Sequence, residues 1–306
     1  MKKTLIALAA LAMVAACNKA EVVESTQDNL IGFNAPFVDN ATKATDNTYG
    51  ATNKLTSFDV YGTVTGTAGT VNIFDGVKVT GTAGTTTVWS YGEQYAQYWI
   101  PGANYSFAAV VDANEVAQDN TTKMPTALSY ATAGQKDLLY ATASVTNATA
   151  NQGAVNLTFA HLLSKAHFTV TSNTAGGYSH TVKDITVSNF ETGTYTIADG
   201  TWAGTTAKNI VFGAVENVTA DDKSGKTNET EMLLIPNTNT FNVTFTVELS
   251  KNGVLLGTET KTIPVETDLV KGNAYNFTIA CSVGNPIQFT VTADPTWSTQ
   301  PDVTIQ

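Results

Sequence analysis

Cys17 is the residue whose surroundings most clearly indicate a chemical reaction. It follows a short cationic start, an apolar run over residues 4–14 and two small residues. This order is typical of a secretory signal peptide, and the apolar run is too short to span a bilayer. The small residues before Cys17 resemble a bacterial lipobox, which predicts that residues 1–17 are a signal peptide ending at a lipidated cysteine. The alternative is an ordinary signal peptide with a chance cysteine.

Histidines and acidic pairs are the other side chains that could do chemistry. His161 and His167 have no cysteine or carboxylate at ligand spacing beside them, and within a strand they would lie about 20 Å apart. His180 stands alone. The pairs Asp221-Asp222 and Glu229-x-Glu231 could act as glycosidase carboxylates, but they lie in a loop rich in small polar residues and lysine. We therefore expect no catalytic residue, no metal site and no cofactor, and the chain is predicted not to be an enzyme.

A run of aromatic residues could form a stacking platform for sugars. Trp89 and Trp99 flank three tyrosines, which are Tyr91, Tyr95 and Tyr98. Aromatic side chains in strands more often fill a core, so a core role is the favoured interpretation.

Composition restricts the possible partners. The net charge is −10, only 14% of residues are charged, and all 16 basic residues are lysines. This balance argues against nucleic acid as a partner, and the absence of arginine removes bidentate recognition of phosphate. If Cys17 carries lipid, Cys281 has no partner for a disulfide, and we expect it to be a small buried hydrophobe.

The elements that must position these residues are strands. Alternating apolar residues recur in short runs bounded by Gly, Asn, Asp and Pro, and no sustained helical period follows the signal peptide. The dipeptide Asn252-Gly253 predicts a tight hairpin turn. The fold class is therefore predicted to be all-β. The clearest alternating runs cover 105–111, 155–159, 185–187, 241–247 and 275–279.

A turn-rich stretch, Asn147–Gly153, is the predicted boundary between two domains. The proposed N-terminal domain is 46–152 and the C-terminal domain is 153–306. After the boundary the alternation changes phase, and a bulge or one helical turn at 161–165 would account for the change.

Several motifs together resemble the fimbrillin family. Residues 137–141 (DLLYA) are followed by Val155-x-Leu157-x-Phe159-x-His161 and by Ser164-Lys165-x-x-Phe168-x-Val170. Residues 98–107 (YWIPGANYSF), 271–279 (KGNAYNFTI) and 287–297 are similar to further segments of that family. The resemblance covers nearly the whole chain.

This resemblance implies a fold, a location and a mode of assembly. Fimbrillins are lipoprotein subunits of type V pili, so two tandem transthyretin-like Greek-key β-sandwich domains are expected. The expected location is the bacterial outer membrane and the fimbria on the cell surface. Assembly would proceed by donor-strand exchange, in which a protease removes an N-terminal strand and a neighbour's C-terminal strand replaces it. The implied partners are copies of the chain or related subunits, outer-membrane lipid at Cys17, a processing protease, and a host glycan or protein for adhesion.

Both ends of the chain have residues suited to this exchange. Within the N-terminal segment 18–45, residues 30–38 are the predicted removable strand, and one face of it carries Ile31, Phe33, Ala35 and Phe37. The predicted donor segment, 287–305, carries Ile287, Phe289, Val291, Ala293, Val303 and Ile305. Both segments begin with Ile-x-Phe, so they could compete for one groove.

Lys43-Ala44 is the candidate cleavage site. Residues 42–45 (TKAT) resemble the Thr-Arg-Ala cleavage region of the family, with Lys43 in place of arginine. A strictly arginine-specific protease could not cut this chain. Either the protease accepts lysine, or the subunit remains uncut as an anchor or tip adhesin. A monomeric surface lipoprotein that binds glycans is the alternative from another functional class.

Overall fold

The computed structural model describes residues 29–38, 48–49, 53–81, 89–222, 224–228 and 231–294. Within these ranges almost all regular structure is strand, and the predicted all-β fold class is confirmed. Two short 3-10 helices are present, Glu93–Tyr95 and Thr132–Gly134. None of the helices in the described part of the chain is long and apolar enough to cross a membrane.

A six-stranded sheet forms the first half of the molecule. Its strand order is β1-β10-β9-β6-β4-β5, and all neighbours are antiparallel except the parallel pair of β1 and β10. A separate small hairpin joins β2 and β3. The bounds are β1 Phe37–Val38, β2 Thr48–Tyr49, β3 Asn53–Lys54, β4 Ser57–Gly66, β5 Gly69–Thr80, β6 Asn104–Val111, β9 Leu139–Val145 and β10 Thr158–His161.

Two sheets face each other in the second half. One has the order β17-β11-β21-β22, with β18 also paired to β11, and the other has the order β15-β12-β19-β20, with β16 paired to β12. The bounds are β11 Ser164–Ser172, β12 Tyr178–Phe190, β15 Ala207–Val211, β16 Val215–Val218, β17 Lys226–Thr227, β18 Met232–Leu234, β19 Phe241–Lys251, β20 Val254–Val265, β21 Ala274–Cys281 and β22 Gln288–Asp294.

A further sheet contains two strands from before the predicted domain boundary and two from after it. It has the order β14-β13-β8-β7, with bounds β7 Glu115–Gln118, β8 Pro125–Ala131, β13 Thr192–Thr196 and β14 Thr201–Gly204. The antiparallel pairing of β8 with β13 joins residues on opposite sides of the predicted boundary at 147–153. The division of the chain into domains 46–152 and 153–306 remains a prediction.

Three apolar clusters hold these sheets together. The first lies on the inner face of the six-stranded sheet, and the second lies between the two facing sheets. The third lies between the outer face of the six-stranded sheet and the sheet of β7, β8, β13 and β14. Because the six-stranded sheet is covered on both faces, residues 107–111 of β6 are all buried instead of alternating.

Two local predictions can be compared with the backbone. The hairpin turn between β19 and β20 is confirmed, because Asn252 and Gly253 both have positive φ, 48° and 81°, as a type I′ turn requires. The phase change after β10 is neither a bulge nor a helical turn. Leu162 and Leu163 form a two-residue link between strands of different sheets, and both side chains are buried in the third cluster.

Candidate strand-binding groove

Residues 29–36 lie between two other segments that together cover the first apolar cluster, which forms the first core as the second cluster forms the second core. On one side, Ile31 N–H donates to Gln97 O (2.8 Å) and Trp99 N–H donates to Asn29 O (2.9 Å). On the other side, Val155 N–H donates to Gly32 O (2.8 Å) and Asn34 N–H donates to Val155 O (3.0 Å). The segment therefore occupies a groove between residues 89–99 and residues 154–159.

Apolar side chains explain why the segment lies in this groove. Ile31 and Phe33 are fully buried. The Phe33 ring meets four aromatic rings edge-on at centroid distances of 5.8–6.1 Å, which are those of Phe58, Phe74, Tyr91 and Phe107. Edge-to-face geometry at these distances is favourable beyond the area that it buries. Phe33 is thus the central contact of the segment with the first core.

The alternation along the segment changes at Pro36. Ile31 and Phe33 point into the core, Ala35 is half-buried, and Pro36 and Val38 are buried after it. The predicted face of Ile31, Phe33, Ala35 and Phe37 is therefore interrupted at Pro36, and Val38 of β1 lies in the first core, while the side chain of Phe37 lies outside the description. Proline has no N–H for a ladder, which is consistent with a break in the pairing there.

Polar contacts also hold the segment. The Tyr91 hydroxyl donates to Ile31 O at 2.6 Å, and its burial raises the pKa of Tyr91 to about 12. The Asn34 side-chain amide donates to Asn156 Oδ1 at 2.7 Å. Burial of the Ile31, Phe33 and Val38 side chains is worth about 5–9 kcal/mol in total, before any hydrogen bond is counted.

The C-terminal segment is bound less deeply. β22 is an edge strand that pairs antiparallel with β21, with Phe289 opposite Ile279 and Val291 opposite Phe277. Ile287, Phe289 and Val291 are only half-buried against the second core. The Phe289 ring stacks on Phe245 at 6.2 Å and on Phe277 at 6.0 Å.

Several predicted site residues can now be placed. Ala293 is exposed on β22, opposite Tyr275, and contributes nothing to the second core. The lipidation site Cys17, the cleavage pair Lys43 and Ala44, and the donor residues Val303 and Ile305 lie outside the described residues. The roles assigned to them remain predictions.

The aromatic run divides into core and surface residues. Trp89 and Trp99 are 1% and 3% exposed, and Trp89 stacks on Phe58 at 5.6 Å. Tyr95 and Tyr98 are about half exposed. The tryptophans therefore belong to the first core, and only two tyrosines remain as a surface platform.

His161 and His180 each lie beside a polar side chain. His161 Nδ1 lies 2.5 Å from Asp137 Oδ2, and His180 Nδ1 lies 3.1 Å from Ser172 Oγ. Among the described residues, no group of three or more His, Cys, Asp or Glu side chains could hold a metal ion.

The acidic loop has structural contacts. The Asp222 carboxylate accepts hydrogen bonds from Thr219 N–H (2.7 Å) and the Thr219 hydroxyl (3.1 Å), and the first of these is the main cause that lowers the pKa of Asp222. Glu231 forms an ion pair with Lys165 at 3.2 Å. These carboxylates fix the loop and a neighbouring strand.

Two amide side chains that the sequence did not single out bind the backbone of β18 and of the residue that follows it. Gln135 accepts from Leu233 N–H (2.6 Å) and donates to Leu233 O (3.2 Å). Asn189 accepts from Ile235 N–H (2.9 Å) and donates to Ile235 O (3.0 Å). Each amide makes the two hydrogen bonds that a peptide group of a neighbouring strand would make. The sequence gives no signal for this role, because the partners are 46 and 98 residues apart.

Comparison with known proteins gives one family and a set of similar folds. The family model described as fimbrillin-like matches residues 42–295 of the chain. Curated proteins give no match.

Solved structures resemble the whole architecture at low sequence identity. A fimbrial protein from Bacteroides vulgatus ATCC 8482 has a TM-score of 0.65 at 14% identity, covering 88% of this chain and 100% of that chain. A proposed cell adhesion protein from Bacteroides uniformis ATCC 8492 has a TM-score of 0.51 at 18% identity, covering 89% of this chain and 100% of that chain. At these identities the likeness shows a shared fold.

Proposed function

This chain belongs to the fimbrillin-like family, and on that premise we propose that it is a structural subunit of a cell-surface fimbria that supports adhesion. In this proposal the subunits polymerise by protease-triggered donor-strand exchange. The observation that carries the proposal is the position of residues 29–36, which lie in the middle of a layer and bury Ile31 and Phe33 completely.

The tether between this segment and the first domain explains why cleavage is needed. A segment joined by a short linker experiences its groove at about millimolar effective concentration, so an incoming strand of equal quality cannot displace it. The predicted cleavage between Lys43 and Ala44 would remove that advantage. The groove between residues 89–99 and 154–159 would then offer free backbone groups and an aromatic cavity to another strand.

β22 has the properties of a donor strand. Ile287, just before β22, and Phe289 and Val291 within it repeat the apolar order that begins at Ile31 and Phe33, and they are only half-buried at rest. Its outer edge has no partner strand within the described residues. Moving these side chains from a half-buried edge into a fully buried groove would bury more apolar surface, which favours the polymer.

Export and anchoring complete the proposal. Lipid on Cys17 would hold the precursor at the outer membrane. Cutting after Lys43 would separate the subunit from both the lipidated cysteine and the removable strand. A subunit that is never cut would keep its lipid and act as an anchor or tip adhesin.

A second candidate function rests on two exposed tyrosines. Tyr95 and Tyr98 are 47% and 49% exposed, and they form the remaining surface of the aromatic run. Exposed aromatic faces can stack on sugars, so a monomeric surface lipoprotein that binds glycans is the alternative.

Limited trypsin digestion tests the main proposal. We expect the purified precursor, carrying Cys17→Ser so that it is soluble without lipid, to be cut early after Lys43 and then to form high-mass, denaturant-resistant ladders. N-terminal sequencing identifies the cut and light scattering follows the growth. The matched variant Lys43→Gln should not be cut there and should form no high-mass, denaturant-resistant ladder.

Two further outcomes separate the alternatives. Phe289→Ala should be cut at the same rate but polymerise more slowly, because the donor loses its largest apolar side chain. A cleanly cut wild-type product that stays monomeric would contradict strand exchange. Saccharide binding to that monomer, lost in Tyr98→Ala, would then support the glycan-binding function.

A further inference from the structure

β20 presents a long free edge on the second half of the molecule. It spans Val254–Val265 and pairs with β19 on one side, and no other strand of the described residues pairs with it. Residues 254–260 are all exposed, including Val254, Leu255 and Leu256 at 55–63%. Unpaired edges of this length are templates for another strand, and proteins usually shorten or cover them.

The hydrogen bonds of β19 show which peptide groups of β20 face the free edge. Asn242 N–H donates to Ser188 Oγ on the side of β12, so its backbone points away from β20. Its register partner Pro264 must then also face away from β19. Since the direction alternates along a strand, the N–H and C=O groups of Thr262, Thr260 and Thr258 face the free edge as well.

Side-chain contacts agree with this assignment. The hydroxyls of Thr244 and Thr262 lie 2.9 Å apart, and those of Thr246 and Thr260 lie 3.1 Å apart. Such close contacts are expected at the pairs of an antiparallel ladder that do not exchange backbone hydrogen bonds, because these pairs have the shorter Cα separation. The free edge therefore offers three consecutive donor–acceptor positions.

We propose that this edge binds the same edge of a second copy of the chain, antiparallel, with a two-fold axis at Thr260. Charge selects this arrangement. Glu259 and Lys261 form an ion pair within each chain at 2.5 Å, and a two-fold axis at Thr260 places each of them also opposite its counter-charge in the other copy. An axis at Glu259 would oppose two glutamates, and an axis at Lys261 would oppose two lysines, and like charges directly opposite destabilise a sheet.

The neighbouring pairs fit the same register. Ile263 of one copy meets Gly257 of the other, where a Cβ would find nothing within 4 Å, so the isoleucine has room. Leu256 is the extra residue of a β-bulge between Leu255 and Gly257, so the regular register of this edge ends at Gly257. The backbone N–H groups of Thr258, Thr260 and Thr262 of each copy donate to backbone carbonyl groups of the other copy. Pro264 has no N–H and ends the pairing. The interface is isologous, as expected of a homodimer, and it extends each sheet by the other.

The dimer is independent of the proposed strand exchange. β20 belongs to the second core, whereas the removable segment belongs to the first. Lateral pairing of this kind would join subunits side by side, and it requires no cleavage.

Sedimentation of the uncut chain tests the proposal. The protein carries Cys17→Ser and Lys43→Gln, so neither lipid nor strand exchange can cause association. We expect a concentration-dependent monomer–dimer equilibrium. Glu259→Lys and Lys261→Glu should each weaken it about tenfold, because each variant opposes like charges at both positions.

Mixing the variants is the decisive control. An equimolar mixture of Glu259→Lys and Lys261→Glu should form a heterodimer, since every charge then meets its opposite, and the double exchange in one chain should restore self-association. A wild-type chain that remains monomeric at several hundred micromolar would overturn the proposal. A dimer that both single variants leave unchanged would also overturn it. Neither result would bear on cleavage-dependent polymerisation, which is measured separately.

Discussion

His180 is a buried titratable group of β12. It is 3% exposed in β12, with Ser172 Oγ 3.1 Å from its Nδ1. Burial lowers the pKa of His180, because the charged imidazolium loses solvation in the second core. The residue therefore acts as a neutral polar member of the core.

The pH dependence of stability should report this burial. Below the ordinary histidine pKa of about 6.5, His180 binds a proton in the unfolded chain but stays neutral in the folded chain. The free energy of unfolding therefore falls as the pH falls. One such group contributes at most about 1.4 kcal/mol per pH unit. In urea titrations at pH 7.5 and 5.5, His180→Gln should lose less stability between the two pH values than wild type. Equal losses would contradict the assignment.

Cys281 should be unreactive in the folded protein. Its side chain is buried, and burial raises the pKa of the thiol to about 12, so almost no thiolate exists near neutral pH. We expect iodoacetamide at pH 8 to leave the Cys281 peptide unmodified in native protein and to alkylate it fully in guanidinium, as read by peptide mass mapping. Labelling at the same rate in both conditions would show that the thiol is accessible.

At the scale of elements, the two end segments differ in how deeply they are held. Residues 29–36 lie between two neighbouring segments and bury Phe33 completely. β22 has one neighbour, β21, and leaves Phe289 half-buried. A strand with one partner and a half-buried face opens more easily than a segment in the middle of a layer.

Truncating each phenylalanine should measure that difference. Phe33→Ala in the uncut chain should cost about 3–5 kcal/mol of unfolding free energy, because it empties the centre of an aromatic cluster. Phe289→Ala is the matched control and should cost about half as much, since its ring is partly solvated at rest. Urea unfolding followed by circular dichroism measures both values. Equal losses would mean that the resting segments are held equally well.

At the scale of the whole molecule, the third cluster couples the two halves. Leu128 of β8 and Tyr195 of β13 are directly opposite in the joining sheet, and both are buried in this cluster. Tyr61 and Val110 from the outer face of the six-stranded sheet pack in the same cluster. Motion of one half relative to the other would therefore expose apolar surface.

This coupling predicts one cooperative thermal transition. Calorimetry of the uncut chain should show a single peak, and Leu128→Ala should lower its midpoint by an amount equivalent to about 2–5 kcal/mol. Val211→Ala, at a position 64% exposed on β15, is the control and should change stability by less than about 0.5 kcal/mol. Two separate peaks in wild type would show that the halves unfold independently.

Features that depend on interactions over a few residues could be predicted from the sequence. The strands around Phe107, Phe245 and Phe277, the turn at Asn252-Gly253 and the core role of Trp89 follow from period-2 alternation and turn chemistry, which act over a few residues. The apolar character of residues 31–37 and 287–293 is likewise local.

Pairing between distant segments could not be derived in this way. The position of residues 29–36 between segments 89–99 and 154–159, the union of β8 with β13, and the amide contacts of Gln135 and Asn189 join residues that are far apart in the chain. Local periodicity states only that a face is apolar, not which surface covers it. The sequence alone therefore determined the all-β class and the apolar character of these segments, whereas the tertiary structure decided which segment is fully buried, which is half-buried, and which edge is free.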